Sequence, residues 1–272
     1  MKYSKLGRHW KRAPELVRAW RLTPAWREVF VRYLEIGRPS YPFRFTVSGG
    51  GTIETTSPGE LQVFWQIFVH RCYRIPHDCT TIVDAGANIG LFALWAAWQR
   101  PAARIVSLEP FPETFEQLEK NIRTNSLQER IRAVRGALAG KTGERRLNAF
   151  GESPNHRLVQ PGAEVPADDP LVVSCVTLTD FLREERLESL DLLKMDIEGS
   201  EWEVLFSTPS AILGNIRHII LEYHEVHARF GYHPEKLFAH LANAGHKLTY
   251  REEDVAGTGL AFFQRSLRPH TP

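Results

Sequence analysis

Val83-Asp84-Ala85-Gly86-Ala87-Asn88-Ile89-Gly90 extends the apolar run Thr81-Ile82-Val83 and leads straight into Leu91-Phe92-Ala93-Leu94-Trp95-Ala96-Ala97. The order is a buried strand, a glycine-bearing turn and a helix. Gly86 and Gly90 let the backbone approach a ligand closely, and the opening amides of the helix point at whatever sits above the strand. Asp84, at the strand's end, adds a carboxylate that suits a ligand with an amine better than one with a pyrophosphate. Ile105-Val106-Ser107-Leu108-Glu109 reads as a second strand ending in an acid, 25 residues after Asp84. An acid so placed holds ribose hydroxyls in α/β nucleoside sites. The alternative is a turn whose glycines serve packing alone.

Upstream, Phe43-Arg44-Phe45-Thr46-Val47 and Thr52-Ile53-Glu54-Thr55 alternate around Ser48-Gly49-Gly50-Gly51, a hairpin signature. Leu61 to Tyr73 predicts a helix with Leu61, Phe64, Trp65, Phe68 and Val69 on one face. Downstream, strands are predicted near 80–84, 104–108, 131–137, 190–196 and 217–223. Helices are predicted near 89–99, 112–124, 177–186, 200–207 and 234–244. That alternation predicts an α/β fold with a doubly wound, mostly parallel sheet covered by helices on both faces. His246-Lys247-Leu248-Thr249-Tyr250 and Leu260-Ala261-Phe262-Phe263 are joined by a connection too short for a helical crossover, so they pair as a C-terminal antiparallel hairpin. A simple dinucleotide dehydrogenase does not need that hairpin. The stretch from Phe150 to Pro170 carries Pro154, Pro161, Gly162 and Pro166 and interrupts the rhythm. It is read as a substrate loop over 150–170, with a passive insertion as the alternative.

Three segments together, Val83 to Gly90, Leu108-Glu109-Pro110, and Leu193-Lys194-Met195-Asp196-Ile197-Glu198-Gly199-Ser200-Glu201, resemble the FkbM-type S-adenosylmethionine-dependent methyltransferases. The resemblance runs from about Glu60 to Arg265, and the Lys-x-Asp-x-Glu-Gly-x-Glu string is its most specific part. It implies a class I methyltransferase (Rossmann-like) fold, S-adenosyl-L-methionine as cofactor, S-adenosyl-L-homocysteine as product, and methyl transfer mostly to hydroxyl oxygens. The first 40 or so residues lie outside it.

At 272 residues the chain suits one large domain with an appendage. The division expected is an arm over 1–40, a hairpin and helix over 41–75, and the methyltransferase domain over 76–272. A hydrophobic share of 43% is ordinary for a globular core, which argues against disorder. No stretch approaches the roughly 20 apolar residues of a membrane span, and the basic N-terminus lacks the apolar block of a secretory signal. Cys72, Cys79 and Cys175 have neither paired spacing nor a histidine cluster, so they read as reduced thiols of a cytoplasmic protein. The net charge of +2 conceals an asymmetry. Residues 1–44 hold eleven lysines and arginines against Glu15, Glu28 and Glu35, so the remainder is acidic. Trp10, Trp20, Trp26, Phe30 and Tyr33 share that stretch, with Pro14 and Pro24 where two short amphipathic helices can begin. The aromatics are expected to pack on the catalytic domain or on a second subunit, making a homodimer through the arm. An anionic substrate, nucleic acid or membrane is the other use of such a surface.

In an open parallel sheet, ligands lie outside the carboxyl ends of the strands. Glu109 is expected on both ribose hydroxyls, because one carboxylate accepts two hydrogen bonds. Pro110 follows it, Phe111 packs on the adenine or against the sheet, and Ala137 offers backbone groups to the adenine edge. Asp84 and the backbone of Gly86, Ala87 and Asn88 are expected on the methionine moiety, with Gly90 completing the turn. Asp196 and Glu198 are read as cleft acids, whereas Glu201 is as readily the start of a helix. Glu222 and His224, two apart on one strand, face the methyl group. His224 is the candidate base, with Glu222 orienting it and Asp196 opposite. In the alternative, Asp196, Glu222 and His224 hold a hard divalent cation. His156, His218, His227, His233, His240 and His246 carry no distinguishing context.

The favoured function is therefore methyl transfer to a hydroxyl oxygen of a small molecule or glycan. An RNA methyltransferase guided by the basic arm is the second reading. The acidic cleft mouth disfavours a phosphate backbone, and Asp196-Ile197-Glu198-Gly199 stands where amino-directed enzymes often carry Asn-Pro-Pro-Tyr. A noncatalytic assembly module is the third, against which the intact Asp84, Glu109 and Asp196 set argues.

Overall fold

The computed structural model describes residues 13–148, 157–158, 171–224, 233–253 and 258–266. Most of the substrate loop, Trp10, His156 and His227 lie outside the described residues. The central sheet has seven strands in the order β12-β13-β11-β10-β3-β4-β5. Strands β3 (Thr81–Ala85), β4 (Arg104–Glu109), β5 (Ile131–Arg135), β10 (Leu190–Met195) and β11 (Ile216–Tyr223) are parallel. Strands β12 (His246–Glu253) and β13 (Gly259–Arg265) pair antiparallel and close the sheet on β11. This is the class I methyltransferase arrangement. The chain leaves β5 and returns at β10 on the other side of β3, so the sheet's switch point lies between β3 and β10.

Strand alternation divides the core into two layers. Ile82, Ile105, Leu192, Ile220 and Phe262 point into one apolar cluster, and Val83, Val106, Leu193, Leu221 and Phe263 into the other. On the first face lie α4 (Leu91–Gln99) and α5 (Pro112–Thr124). On the second lie α6 (Leu178–Glu184), α7 (Glu201–Ser207) and α9 (Pro234–Asn243). Helix α4 is apolar around its circumference because α3 (Pro58–Phe64) and its π-helical continuation Trp65–His70 cover its outer side. The predicted helix over 61–73 is thus α-helical only to Phe64, and its tighter register gives way to a π turn.

The hairpin forms as expected, β1 (Phe43–Thr46) against β2 (Thr52–Thr55). Asn121 of α5 and Asn125, which caps that helix, hydrogen-bond its backbone at Glu54 and Thr52. The arm contributes α1 (Ala13–Leu22) and α2 (Trp26–Tyr33). Tyr33 stacks on Trp65 at 4.4 Å, Val29 is fully buried, and Trp65 Nε1 donates to Glu15. Trp20 does not follow its neighbours and stays 60% exposed.

One expectation needs correction. The strand expected over 131–137 is two: β5 ends at Arg135, and β6 (Ala137–Leu138) belongs to a separate sheet of order β6-β9-β7-β8. That sheet, with β7 (Gly143–Asn148), β8 (Arg157–Leu158) and β9 (Leu171–Val176), flanks the loop expected over 150–170, of which Arg157 and Leu158 alone are described. Strand β7 carries charge at half its positions, so no buried-strand alternation announces it. Among the described residues, no helix is long and apolar enough to cross a membrane.

Candidate active site at the carboxyl edge of the sheet

A cleft of about 370 Å³ opens above the switch point. Its lining includes Gly86, Ala87, Asn88, Glu109, Pro110, Ala137, Asp196, Glu198, Glu222 and His224, all expected from the sequence. Asp84, Gly90 and Phe111 do not line it. Phe111 packs instead against Ala137 and Cys175 of the second sheet.

The glycine turn is held by the protein on every side. Gly86 and Ala87 amides donate to Leu108 O, Asn88 to Glu109, Ile89 to the Asn88 side chain, and Gly90 to Ala87 O. The amides from Gly86 to Asn88, expected on the methionine moiety, are therefore already engaged. Both glycines also admit a close approach of protein. A Cβ on Gly86, at φ +75, would meet the Asp196 carbonyl oxygen at 1.8 Å, and one on Gly90, at φ +87, would meet Leu118 at 2.6 Å.

Glu109 sits at the end of β4 with its oxygens accepting from Asn88 N at 2.9 Å and Phe111 N at 3.0 Å. Burial pushes its carboxyl up to about 7, against the pull of those two amides and of Lys194. Each oxygen keeps a lone pair for a further donor.

Asp84 is fully buried, and Lys194 lies over it with Nζ 3.1 Å from Oδ1. The same ammonium donates to Gly86 O at 2.8 Å and stands 3.8 Å from Asp196. Burial alone would lower the Lys194 ammonium, but Asp84 and Asp196 hold it above its ordinary value. Lys194 thus stands over Asp84, which was expected on the methionine moiety, and itself lines the cleft. A lysine two positions from Asp196, directly after the apolar Leu192-Leu193, was the available signal, since a buried charge demands a partner.

At the other end, four carboxylates crowd around His224. Its Nδ1 lies 3.1 Å from Glu201 Oε1 and its Nε2 3.7 Å from Glu198 Oε2. Trp202 Nε1 fixes the His224 carbonyl at 3.1 Å. Glu201 is wholly buried and also accepts from Ile197 N at 2.9 Å. The partner of His224 is therefore Glu201, and the orienting role expected for Glu222 is corrected. Glu222 shares the cleft but accepts from the Tyr73 hydroxyl at 3.3 Å. The Asp196 charge, then burial, pushes Glu222 up to about 8. Burial would lower His224, but Glu201, Asp196 and Glu198 raise it to about 10. So placed, the imidazole carries a proton at neutral pH and is not an empty base. The turn itself is unusual, since Glu198 is held at φ +55 and Gly199 at φ +104. Tyr73 carried no sequence signal.

The chain belongs to the FkbM methyltransferase family: the Methyltransferase FkbM domain matches residues 84–251. It is a methyltransferase. Methyltransferase sdnD of Sordaria araneosa is 30% identical over 193 residues, covering 59% of this chain and 73% of that one. The 31-O-demethyl-FK506 methyltransferase FkbM of Streptomyces tacrolimicus is 26% identical over 217 residues, covering 67% and 82%. Among solved structures, the methyltransferase FkbM of Methylobacillus flagellatus aligns over 95% of this chain and 60% of its own, at a TM-score of 0.51 and 14% identity. That likeness supports the fold alone, and this chain spans three fifths of that structure.

Proposed function

We propose that the protein transfers a methyl group from S-adenosyl-L-methionine to a hydroxyl oxygen of a small molecule or glycan. The observation that carries this reading is one cleft with two chemically distinct ends, Glu109 beside the glycine turn and the Asp196, Glu198, Glu222, His224 group opposite. Glu109 accepts the two ribose hydroxyls with the lone pairs its amide partners leave open. Lys194 and Asp196 bracket the methionine end with one charge of each sign. Bound there, the cofactor supplies an electrophilic methyl carbon on a sulfonium. Transfer to the acceptor would break the carbon–sulfur bond as the carbon–oxygen bond forms, releasing S-adenosyl-L-homocysteine and requiring an acceptor for the hydroxyl proton. Glu222, whose Oε2 is held by Tyr73, is the cleft carboxylate placed to take that proton in its ionised form, which its raised value of about 8 makes dominant only at alkaline pH.

The name of the Streptomyces relative, a 31-O-demethyl-FK506 methyltransferase, supports oxygen as the acceptor atom. Nucleic acid is disfavoured because a phosphate backbone at this mouth would face the same acids. The three cysteines are free, which fits a reducing, cytoplasmic setting. Incubation with methyl-labelled cofactor and a panel of hydroxylated compounds tests the reading, with S-adenosylhomocysteine and an alkali-stable methyl ether as the expected products. Label appearing only on nitrogen or in RNA, or calorimetric binding of NAD in place of the cofactor, would overturn it.

A further inference from the structure

A separate cavity of about 390 Å³ shares Tyr73 with the candidate active site but none of its acids. Helix α1, the end of the π-helical segment with the loop after it, and the end of α4 bring Arg18, Arg71, Arg74 and Arg100 to this one space, with His70 and Trp95. Among the described residues, no aspartate or glutamate lines it, and none of the four guanidiniums forms an ion pair. Arginine stays protonated, so this charge cannot be shed by titration. The acids in the neighbourhood are engaged elsewhere. Glu15, one turn before Arg18, is taken by His70 at 3.2 Å and by the Trp65 indole. Glu252 accepts from the hydroxyl of Tyr250, whose ring Arg74 covers at 5.7 Å. Residues 1–12, which lead into α1, carry five lysines and arginines and no acid.

Two of these arginines are fixed by backbone carbonyls. Arg100 donates Nε to Pro76 O at 2.8 Å, Nη1 to Gln99 O at 2.7 Å and Nη2 to Ile75 O. Arg18 donates Nη1 to Val69 O at 2.9 Å. Of the five N–H donors on a guanidinium, Arg100 thus spends three and Arg18 one. Arg71 and Arg74 donate no side-chain hydrogen bond among the described residues, so all their donors remain for a ligand. A concave site lined by one sign of charge concentrates ions of the other. Planar guanidinium forks match phosphate oxygens pairwise.

We infer that Arg18, Arg71, Arg74 and Arg100 form a site for the phosphate group of a small phosphorylated ligand, outside the cleft proposed for methyl transfer. Four guanidiniums call for an anion of more than one charge, which a phosphate supplies and a single carboxylate does not. The volume falls within the roughly 300–1,000 Å³ of small-molecule sites. Trp95, half-buried on α4, offers an aromatic face to the rest of such a ligand. S-adenosyl-L-methionine carries no phosphate, so the cavity is not an extension of the cofactor site, and the inference does not rest on the function proposed above.

The test is calorimetric titration of the full-length protein with pyrophosphate at about 0.15 M ionic strength, where exposed charges more than about 8 Å apart are largely screened. One saturable site per chain is expected, weakened about tenfold or more by Arg71→Gly and by Arg74→Ala. Arg71 holds a left-handed backbone (φ 58, ψ 47) that suits glycine, so Arg71→Gly removes the charge and keeps the turn. Arg38→Ala, in the same basic arm but outside the cavity, should leave the affinity unchanged. Melting of each variant reports its fold. Cosedimentation with phosphatidylcholine vesicles, with and without phosphatidate, separates the two sources of a phosphate group. Binding to phosphatidate vesicles alone, lost in Arg71→Gly, supports the site with a lipid headgroup as its occupant. Pyrophosphate binding without vesicle binding supports it with a soluble ligand. Absence of saturable binding to both probes overturns the inference. So does binding indifferent to Arg71→Gly and Arg74→Ala, or weakened equally by Arg38→Ala, since the arm's overall charge would then hold the anion.

Discussion

Glu201 Oε1 and His224 Nδ1 stand 3.1 Å apart, although 23 residues separate them in the chain. The contact joins the first turn of α7 to the residue just after β11, under the floor of the cleft. Because Glu201 is inaccessible to solvent, its role is to hold the imidazole in one orientation, and it does not meet substrate. Glu201→Gln should therefore lower turnover about 10–100-fold while leaving the dissociation constant for S-adenosylhomocysteine within about threefold. Equal losses in cofactor affinity and turnover would show that the residue supports the cofactor instead.

Cofactor affinity should depend on pH through Glu109. Its carboxyl is raised to about 7 by burial, and ribose hydroxyls donate best to the ionised form. Below pH 7 the folded protein without ligand holds the proton, so binding must displace it and affinity falls. Affinity should rise between about pH 6 and 8 and then level off. Glu109→Gln should flatten that profile and weaken binding by tens of fold, on the order of 2 kcal/mol. Calorimetry across the pH range checks both. A profile that stays steep in Glu109→Gln would assign the titration to another group.

The Lys194–Asp84 pair sets a stability prediction. Lys194→Met leaves the Asp84 carboxylate buried without its cation, a loss of roughly 3–5 kcal/mol. Asp84→Asn combined with Lys194→Met should recover much of that, because neither buried charge remains. Urea midpoints of the three variants report it; a double variant no more stable than Lys194→Met would mean that the lysine acts through Gly86 O and Asp196.

Much of the fold was legible because strand alternation is local. The successive pairs Ile82/Val83, Ile105/Val106 and Leu192/Leu193 each divide between the two core layers. Helix α5 ran from Pro112 to Thr124 as expected, with its proline at the first turn. What stayed hidden depended on distant partners. Strands β7 and β9 were not expected, and they form by pairing a charged strand with an apolar one. The π turn after Phe64 has no residue signature. The acids of the site were all visible, yet which one would meet His224 was decided by the turn at Glu198 and Gly199, where two positive φ angles bring Glu201 under the cleft. Spacing alone pointed to Glu222.

The last prediction concerns the arm, which touches the cleft at one remove. Tyr33 and Phe30 pack on Trp65, and Arg18 donates to Val69 O at 2.9 Å, both on the π-helical segment. That segment and α3 present Gln62, Val63, Gln66 and Ile67 to the cleft as one of its walls. Removing residues 1–34 would uncover Trp65 and unsupport that wall, so the arm is not a free appendage. The truncated protein should melt at lower temperature and bind S-adenosylhomocysteine more weakly. Tyr33→Ala should produce a milder version of both effects, with a stability loss of about 2–4 kcal/mol from the vacated stacking site. Calorimetric melting and cofactor titration of the two variants check this. A truncation that retains wild-type melting and cofactor affinity would show that the arm serves only surfaces beyond the cleft.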